Sequence, residues 1–164
     1  MNDVFSVWKP VNITTYDILR KIKKISNIKK IGHCGTLDPF AEGIVIVCKE
    51  KATKESLFYM NKNKKYRAHI KFGAETDTLD KTGEIIKRHN DVYLDPKAIS
   101  KSLESFIGPI NQIPPYYSAK KINNVKMYDL ARKQIFIRLK PVNVEVENIK
   151  LVDFFDNSAI IEVE

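Results

Sequence analysis

The residues best placed to do chemistry lie between Gly32 and Gly43, GHCGTLDPFAEG, where Asp38 precedes a proline inside a glycine-bracketed loop. The tripeptide LDP recurs at Leu94 to Pro96, so the chain carries its own comparison. The second copy opens Pro96 to Ile107, whose apolar positions Ile99, Leu103, Phe106 and Ile107 have helical spacing and which ends at Gly108. Asp95 is therefore expected to cap a helix, with proline at its first position. Asp38 has no such helix to cap, because Phe40, Ala41 and Glu42 run straight into Gly43 and the β-branched stretch Ile44 to Cys48. A carboxylate on a glycine-rich loop at the lip of a buried strand is placed to face a ligand. Gly32, Gly35 and Gly43 would let the backbone approach that ligand closely or adopt positive φ. The chemistry on offer is that of one carboxylate, since no second acid has a defined pairing with it.

The elements that must position this loop can be read from periodicity. Phe5 and Val7 alternate with polar neighbours and predict a short strand that ends in a turn at KPVN. A helix follows, with Thr14 as N-cap, Asp17 at capping-box spacing, and an apolar stripe of Ile18, Leu19, Ile22 and Ile25. Ile44 to Cys48 predicts a buried strand, Thr53 to Tyr59 a short helix, and Asn61 to Lys65 a polar connector. From Tyr66 to Phe72 the alternation is faultless: Tyr66, Ala68, Ile70 and Phe72 on one face, Arg67, His69 and Lys71 on the other. Gly73 to Gly83 is expected to be loop, Glu84 to Arg88 strand, IPPYYSAKK loop, and Val125 to Lys133 helix. Further strands are expected at Ile135 to Leu139, Val142 to Leu151 and Ala159 to Val163. With no repeat, low-complexity segment or internal domain boundary, this order predicts an α+β fold on a largely antiparallel sheet with flanking helices.

Composition sets the outer limits. A chain of 164 residues with 43% hydrophobic and 29% charged residues is long enough for a real core and has the balance of a soluble globular protein. Its apolar runs fall well short of the roughly 20 residues of a membrane helix, and residues 1–8 lack the pattern of a signal peptide. A cytoplasmic location follows as the expectation. Cys34 and Cys48 are too few for a disulfide framework, and no CxxC or clustered His/Cys spacing suggests zinc. Both are expected to be reduced thiols, Cys48 in the core and Cys34 in the loop. The net charge of +8 is unevenly spread: residues 1–72 hold 15 Lys and Arg against 6 Asp and Glu, and the remainder 13 against 14. The basic half contains GHCGTLDP, and such an excess suits a polyanion-binding face. Charge alone is equally compatible with lysine-rich solvated helix faces.

GHCGTLDPFAEG resembles the signature of the TruB-type tRNA pseudouridine synthases. The likeness continues through KPVNITTYD, VCKEKATK, KKYRAHIKFGAETDTLDKTGEI and IPPYYSAKKINNVKMYDLARK, in the family's order along essentially the whole chain. The tyrosine-arginine strand followed by TDTLD looks like the stand-alone bacterial branch, so no obligate protein partner is expected. The resemblance implies isomerisation of uridine-55 in the T loop of tRNA to pseudouridine, without a cofactor or metal. Asp38 matches the catalytic aspartate, either as nucleophile at C1′ or as base for the C2′ proton, and its residue type leaves both open. The target base must leave the loop, at a stacking cost of a few kcal/mol. By resemblance, His33 occupies the space the base vacates, and Tyr66 stacks on the uracil. Asp80 helps to arrange base and tyrosine, and Lys9 is a structural or RNA contact. Calcium is discounted for the acidic loop, because Leu79 and Lys81 stand where an EF-hand starting at Asp77 needs oxygen ligands. Lys21, Lys23, Lys24, Lys29, Lys30, Lys64 and Arg67 are candidate phosphate contacts.

Two departures from the family pattern stand out. Asn12 replaces the glycine usual in the KPxGxTS opening, which is tolerable in left-handed backbone geometry. Family members also continue past a strand like AIIEVE into a motif of the type CSKGTYIRSL, whose arginine pairs with the catalytic aspartate, and on to a small RNA-binding domain. Residues 1–164 therefore read as the N-terminal portion of a pseudouridine synthase catalytic domain, a fragment expected to be weakly active or inactive by itself. The rival readings are a non-catalytic tRNA-binding or folding module and a nucleoside hydrolase, the latter betrayed by free uracil as product.

Overall fold

A computed structural model of the chain describes residues 3–89, 93–118, 121–122, 125–133, 135, 137 and 139–164. The chain groups into two compact units, Met1–Asn63 and Lys64–Glu164, divided inside the polar connector, where the sequence shows no boundary signal.

In the first unit, β1 (Val4–Lys9) pairs antiparallel with β3 (Gly43–Lys49), from Val4 opposite Cys48 to Lys9 opposite Gly43. β2 (Ile31–His33) lies along the other side of β3, so the order is β1-β3-β2. Because side chains alternate across a strand, one face gathers Phe5, Val7, Val45 and Val47 against Leu19 of α1 (Thr15–Ile25), with Ile31 and Leu37 completing the cluster. The other face gathers Val4, Ile46 and Cys48 with Cys34, Ala52 and Tyr59. The capping box forms as expected: the Thr14 hydroxyl accepts from the Asp17 backbone N–H at 3.1 Å, and the Asp17 carboxylate accepts from the Thr14 N–H at 2.8 Å. Three expectations change. Ile25 closes the apolar stripe on paper, yet as the last residue of α1 it overshoots the sheet and is exposed. Ile44 is exposed as well, so β3 is half-buried at its start rather than buried throughout. A 3-10 turn (Glu50–Glu55) and α2 (Ser56–Met60) stand in place of the single short helix.

In the second unit, β12 (Ser158–Val163) lies between β4 (Tyr66–Lys71) and β11 (Ile149–Phe155), antiparallel to both. Ala68, Ile70, Phe72, Ala159, Ile161, Ile149, Leu151 and Phe154 pack with Leu103 and Ile99 of α3 (Pro96–Glu104). Asp95 caps α3 as expected, its carboxylate accepting from the Lys97 N–H at 3.1 Å. α3 stops at Glu104, short of the expected Ile107. Gly108, at φ 99°, then opens a strand the periodicity does not announce, β7 (Gly108–Gln112). Its partner is β10 (Val142–Val146), so the expected single strand from Val142 is in fact two. They divide at Glu147 and Asn148, whose N–H groups both point to the Glu164 carbonyl. The expected loop after Gly73 contains β5 (Ala74–Thr76), paired with β6 (Ile85–Arg88). Val125–Lys126 (β9) pairs with Lys121–Ile122 (β8), leaving α4 as Met127–Arg132. Of the strand expected at Ile135 to Leu139, positions 136 and 138 lie outside the described residues, and Ile135, Ile137 and Leu139 belong to no strand. Every pairing between described strands is antiparallel, in sheets of two or three strands. The fold is α+β.

Leu19 is 4% exposed and packs with Val45 and Val47. Leu19→Ala is expected to destabilise the first unit by about 2–5 kcal/mol, read as a fall in the urea midpoint.

Candidate active site

The loop bearing Asp38 is held from three sides, and the largest contribution comes from Lys9 at the end of β1. Its side chain is fully buried, and its ammonium donates to the carbonyls of Pro10 (3.0 Å), Pro39 (3.3 Å) and Ala41 (2.6 Å). Three carbonyl acceptors match the three N–H donors of an ammonium. Burial lowers the Lys9 pKa, opposed by the charges of Asp38 and Glu42. Of the two roles expected for Lys9, the geometry matches the structural one: the ammonium is used up inside the protein and has no surface from which to reach RNA.

Asn12, at φ 64°, occupies the left-handed geometry anticipated for it and turns its N–H to the Pro39 carbonyl at 2.7 Å. Inside the loop the Ala41 N–H closes a turn onto the Asp38 carbonyl at 3.1 Å. Gly35 and Gly43 both lie at positive φ, 133° and 148°, whereas Gly32 is an ordinary strand residue without that need. Thr15, 2% exposed, meets Leu37 at the front of the loop.

Within this frame the Asp38 carboxylate is exposed and has no hydrogen-bond or ion-pair partner among the described residues. Asp95, Asp17, Asp77 and Asp80 all spend theirs on nearby backbone N–H groups. The contrast between the two LDP copies is thus realised: one aspartate caps a helix, the other is presented outward. His33 ends β2 opposite Val47, and its Nδ1 is buried without a hydrogen-bond partner among the described residues. Cys34 lies in the loop directly after β2, as expected, but does not face solvent. It is buried, with its sulfur 3.1 Å from that of Cys48, and burial pushes the Cys48 thiol up to about 12, so it stays protonated.

Tyr66 and Asp80 belong to the second unit. Tyr66 begins β4 opposite Val163 and is 46% exposed, which fits an aromatic at the margin of a core face. Asp80 organises its own loop: one carboxylate oxygen accepts from the Thr78 hydroxyl (2.9 Å), the Thr82 N–H (2.7 Å) and the Thr82 hydroxyl (2.5 Å). Partial burial pushes its pKa up, but the bonds from Thr82 and Thr78 outweigh it and leave the carboxyl below the usual range. Asp77 accepts from the Glu84 N–H at 2.9 Å, and a Cβ at Gly83 would collide with the Asp77 and Thr78 side chains. Sequence reasoning passed over Thr15, Thr82 and Gly83, whose neighbours are set only when the chain folds back on itself.

Lys21, Lys23, Lys24, Lys29, Lys30 and Lys64 are exposed as a phosphate-binding role requires. Arg67 is exposed too, and it also has a partner within the protein. Its guanidinium lies 2.6 Å from Glu162, whose carboxylate also attracts Lys150 (3.4 Å) and Lys65 (3.9 Å). Among the described residues no three His, Cys, Asp or Glu side chains gather in a metal-binding group, and no helix is long and apolar enough to cross a membrane.

Together, an antiparallel α+β frame and a clamped loop presenting one free aspartate define the class, and sequence comparison supplies the family. The profile described as TruB family pseudouridylate synthase (N terminal domain) matches residues 23–164, and the chain belongs to that family. The chain is 44% identical over 152 residues to tRNA pseudouridine synthase B of Clostridium tetani, covering 93% of this chain and 53% of the relative. It is 40% identical over 166 residues to the protein of that name from Clostridioides difficile, covering 100% and 55%. The chain thus spans about half the length of the curated relatives it matches. Among solved structures, the crystal structure of a Cbf5-Nop10-Gar1 complex contains a chain with a TM-score of 0.67 and 27% identity, covering 98% of this chain and 38% of that one. An H/ACA RNP bound to a substrate RNA containing 2′-deoxyuridine gives 0.62 and 25%, covering 98% and 36%.

Replacing Lys9 with Met, which keeps the stem and removes the donors, is expected to cost about 1–3 kcal/mol, chiefly for the part-buried Ala41 carbonyl that loses its donor while Pro39 keeps the Asn12 N–H, measured by urea unfolding. A second expectation concerns acid. The hydrogen bond from Arg67, ahead of the Lys150 pairing, lowers the Glu162 pKa. A lowered carboxylate stabilises the fold above its unfolded value and loses that contribution as pH falls through the folded value. Melts between pH 3 and pH 5 should show a shallower decline for Glu162→Gln than for the parent.

Proposed function

We propose that this chain carries the catalytic aspartate of a tRNA pseudouridine-55 synthase, and that residues 1–164 are the N-terminal portion of its catalytic domain. The observation that carries this is the free, outward carboxylate of Asp38 on a loop whose backbone is anchored by Lys9, Asn12 and Thr15. Such anchoring serves a group that must meet a reacting atom within a fraction of an ångström.

In this reading a uridine of the tRNA T loop leaves its stack, and His33, with its unpartnered Nδ1, fills the gap it leaves. Tyr66 stacks on the uracil, while Asp80 holds the loop that lines the base. Asp38 acts at the ribose, on C1′ or on the C2′ proton. The N1–C1′ bond breaks, the base turns, C5 bonds to C1′, the C5 hydrogen leaves as a proton and N1 gains one. Atoms and electrons balance without a redox partner, so no cofactor is needed. The exposed lysines Lys21, Lys23, Lys24, Lys29, Lys30 and Lys64 lie along the RNA backbone, where their contribution falls with added salt. The site of action is the cytoplasm, where tRNA is matured.

The test, made on the full-length protein of which residues 1–164 are the proposed N-terminal portion, is tritium release from a T-stem-loop RNA carrying 5-tritiated uridine, under single-turnover conditions with protein in excess. Asp38→Asn is expected to lower the rate at least about 10²-fold while RNA binding in a filter assay is kept. Equal release by Asp38→Asn and the parent refutes the assignment. Binding without release by either favours the RNA-binding module, and free uracil favours a hydrolase.

A further inference from the structure

The Asp38 side chain has no hydrogen bond or ion pair of its own among the described residues, so the backbone on either side does most to place the carboxylate. On the C-terminal side Pro39 is held by Lys9 and Asn12. On the N-terminal side one residue does the holding. The Thr15 hydroxyl accepts from the Leu37 N–H at 3.0 Å and donates to the Leu37 carbonyl at 3.2 Å. A hydroxyl has one proton to give and two lone pairs, so a single oxygen satisfies both main-chain groups of the residue before Asp38. The Leu37 carbonyl belongs to the same planar peptide unit as the Asp38 nitrogen, so pinning that oxygen orients the plane from which Asp38 departs. Thr15 is also the first residue of α1, stiffened by the capping box next to it, and is 2% exposed. The helix therefore provides a fixed post, and the hydroxyl transfers its position to the loop.

We infer that Thr15 is a positioning residue for Asp38, a role that rests on Asp38 being the catalytic group. Valine matches threonine in shape and lacks only the hydroxyl, so Thr15→Val removes both bonds with little change in packing, and Thr15→Ser restores them. In the single-turnover tritium assay Thr15→Val slows the chemical step about 10- to 100-fold, with the RNA concentration for half-maximal rate unchanged, and Thr15→Ser recovers most of the rate. Amide exchange followed by NMR shows the Leu37 N–H about tenfold faster in Thr15→Val, with the amides of Leu19 and Ile22 unmoved. A Thr15→Val rate close to the parent's, a loss confined to RNA affinity, or an equal loss in Thr15→Ser overturns the proposal. So does unchanged exchange at Leu37, or exchange that accelerates throughout α1. If the parent releases no tritium, the catalytic reading has failed, and the Leu37 exchange alone decides whether Thr15 anchors the loop.

Discussion

The buried ammonium of Lys9 is the constraint on which the candidate site depends. A lysine rarely enters a protein interior, because leaving water costs its charge several kcal/mol unless donors and acceptors match. Here three carbonyls match it, two of them from the stretch directly after Asp38. The exchange works in both directions: the loop gains an internal anchor, and the charge gains a solvation shell of main-chain oxygens. Asn12 and Thr15 add shorter links to the same loop. The catalytic-type carboxylate can then remain unpartnered without wandering, which an aspartate on a free surface loop could not do.

The second unit solves a similar problem with different chemistry. The loop after β5 has its own carboxylates turned inward, Asp80 onto Thr78 and Thr82, Asp77 onto Glu84, and Gly83 leaves the room they need. The neighbouring sheet face is polar and paired, with Glu162 drawing Arg67, Lys150 and Lys65. Net positive charge in a sequence is thus a poor guide to free positive charge. Arg67 counts toward the basic half of the chain, yet its exposed guanidinium also pairs across strands with Glu162.

Local signals were the most legible. The capping box at Thr14 and Asp17, the cap at Asp95, the alternation from Tyr66 to Phe72 and the left-handed Asn12 all depend on residues within a turn or two, and all appear where periodicity and turn chemistry put them. What failed depended on partners. The stretch from Val142 reads as one strand because pattern does not reveal that β10 joins β7 while β11 joins β12. β7 itself, GPINQ, has too weak an alternation to announce a strand without its neighbour.

For the site, the sequence by itself determined which aspartate is special: the residues after Asp38 exclude a helix, those after Asp95 build one, and the difference is local sterics and hydrogen bonding. It also determined the family, through motifs whose order runs along the chain. Only the tertiary structure decided that Lys9 is an internal anchor, that Cys34 is buried against Cys48, that Arg67 is already paired, and that Thr15 holds Leu37. Each is a contact between residues at least 14 positions apart. Such contacts are set by how strands and helices pack, and a one-dimensional pattern carries the tendency of each element but not the distance between two of them.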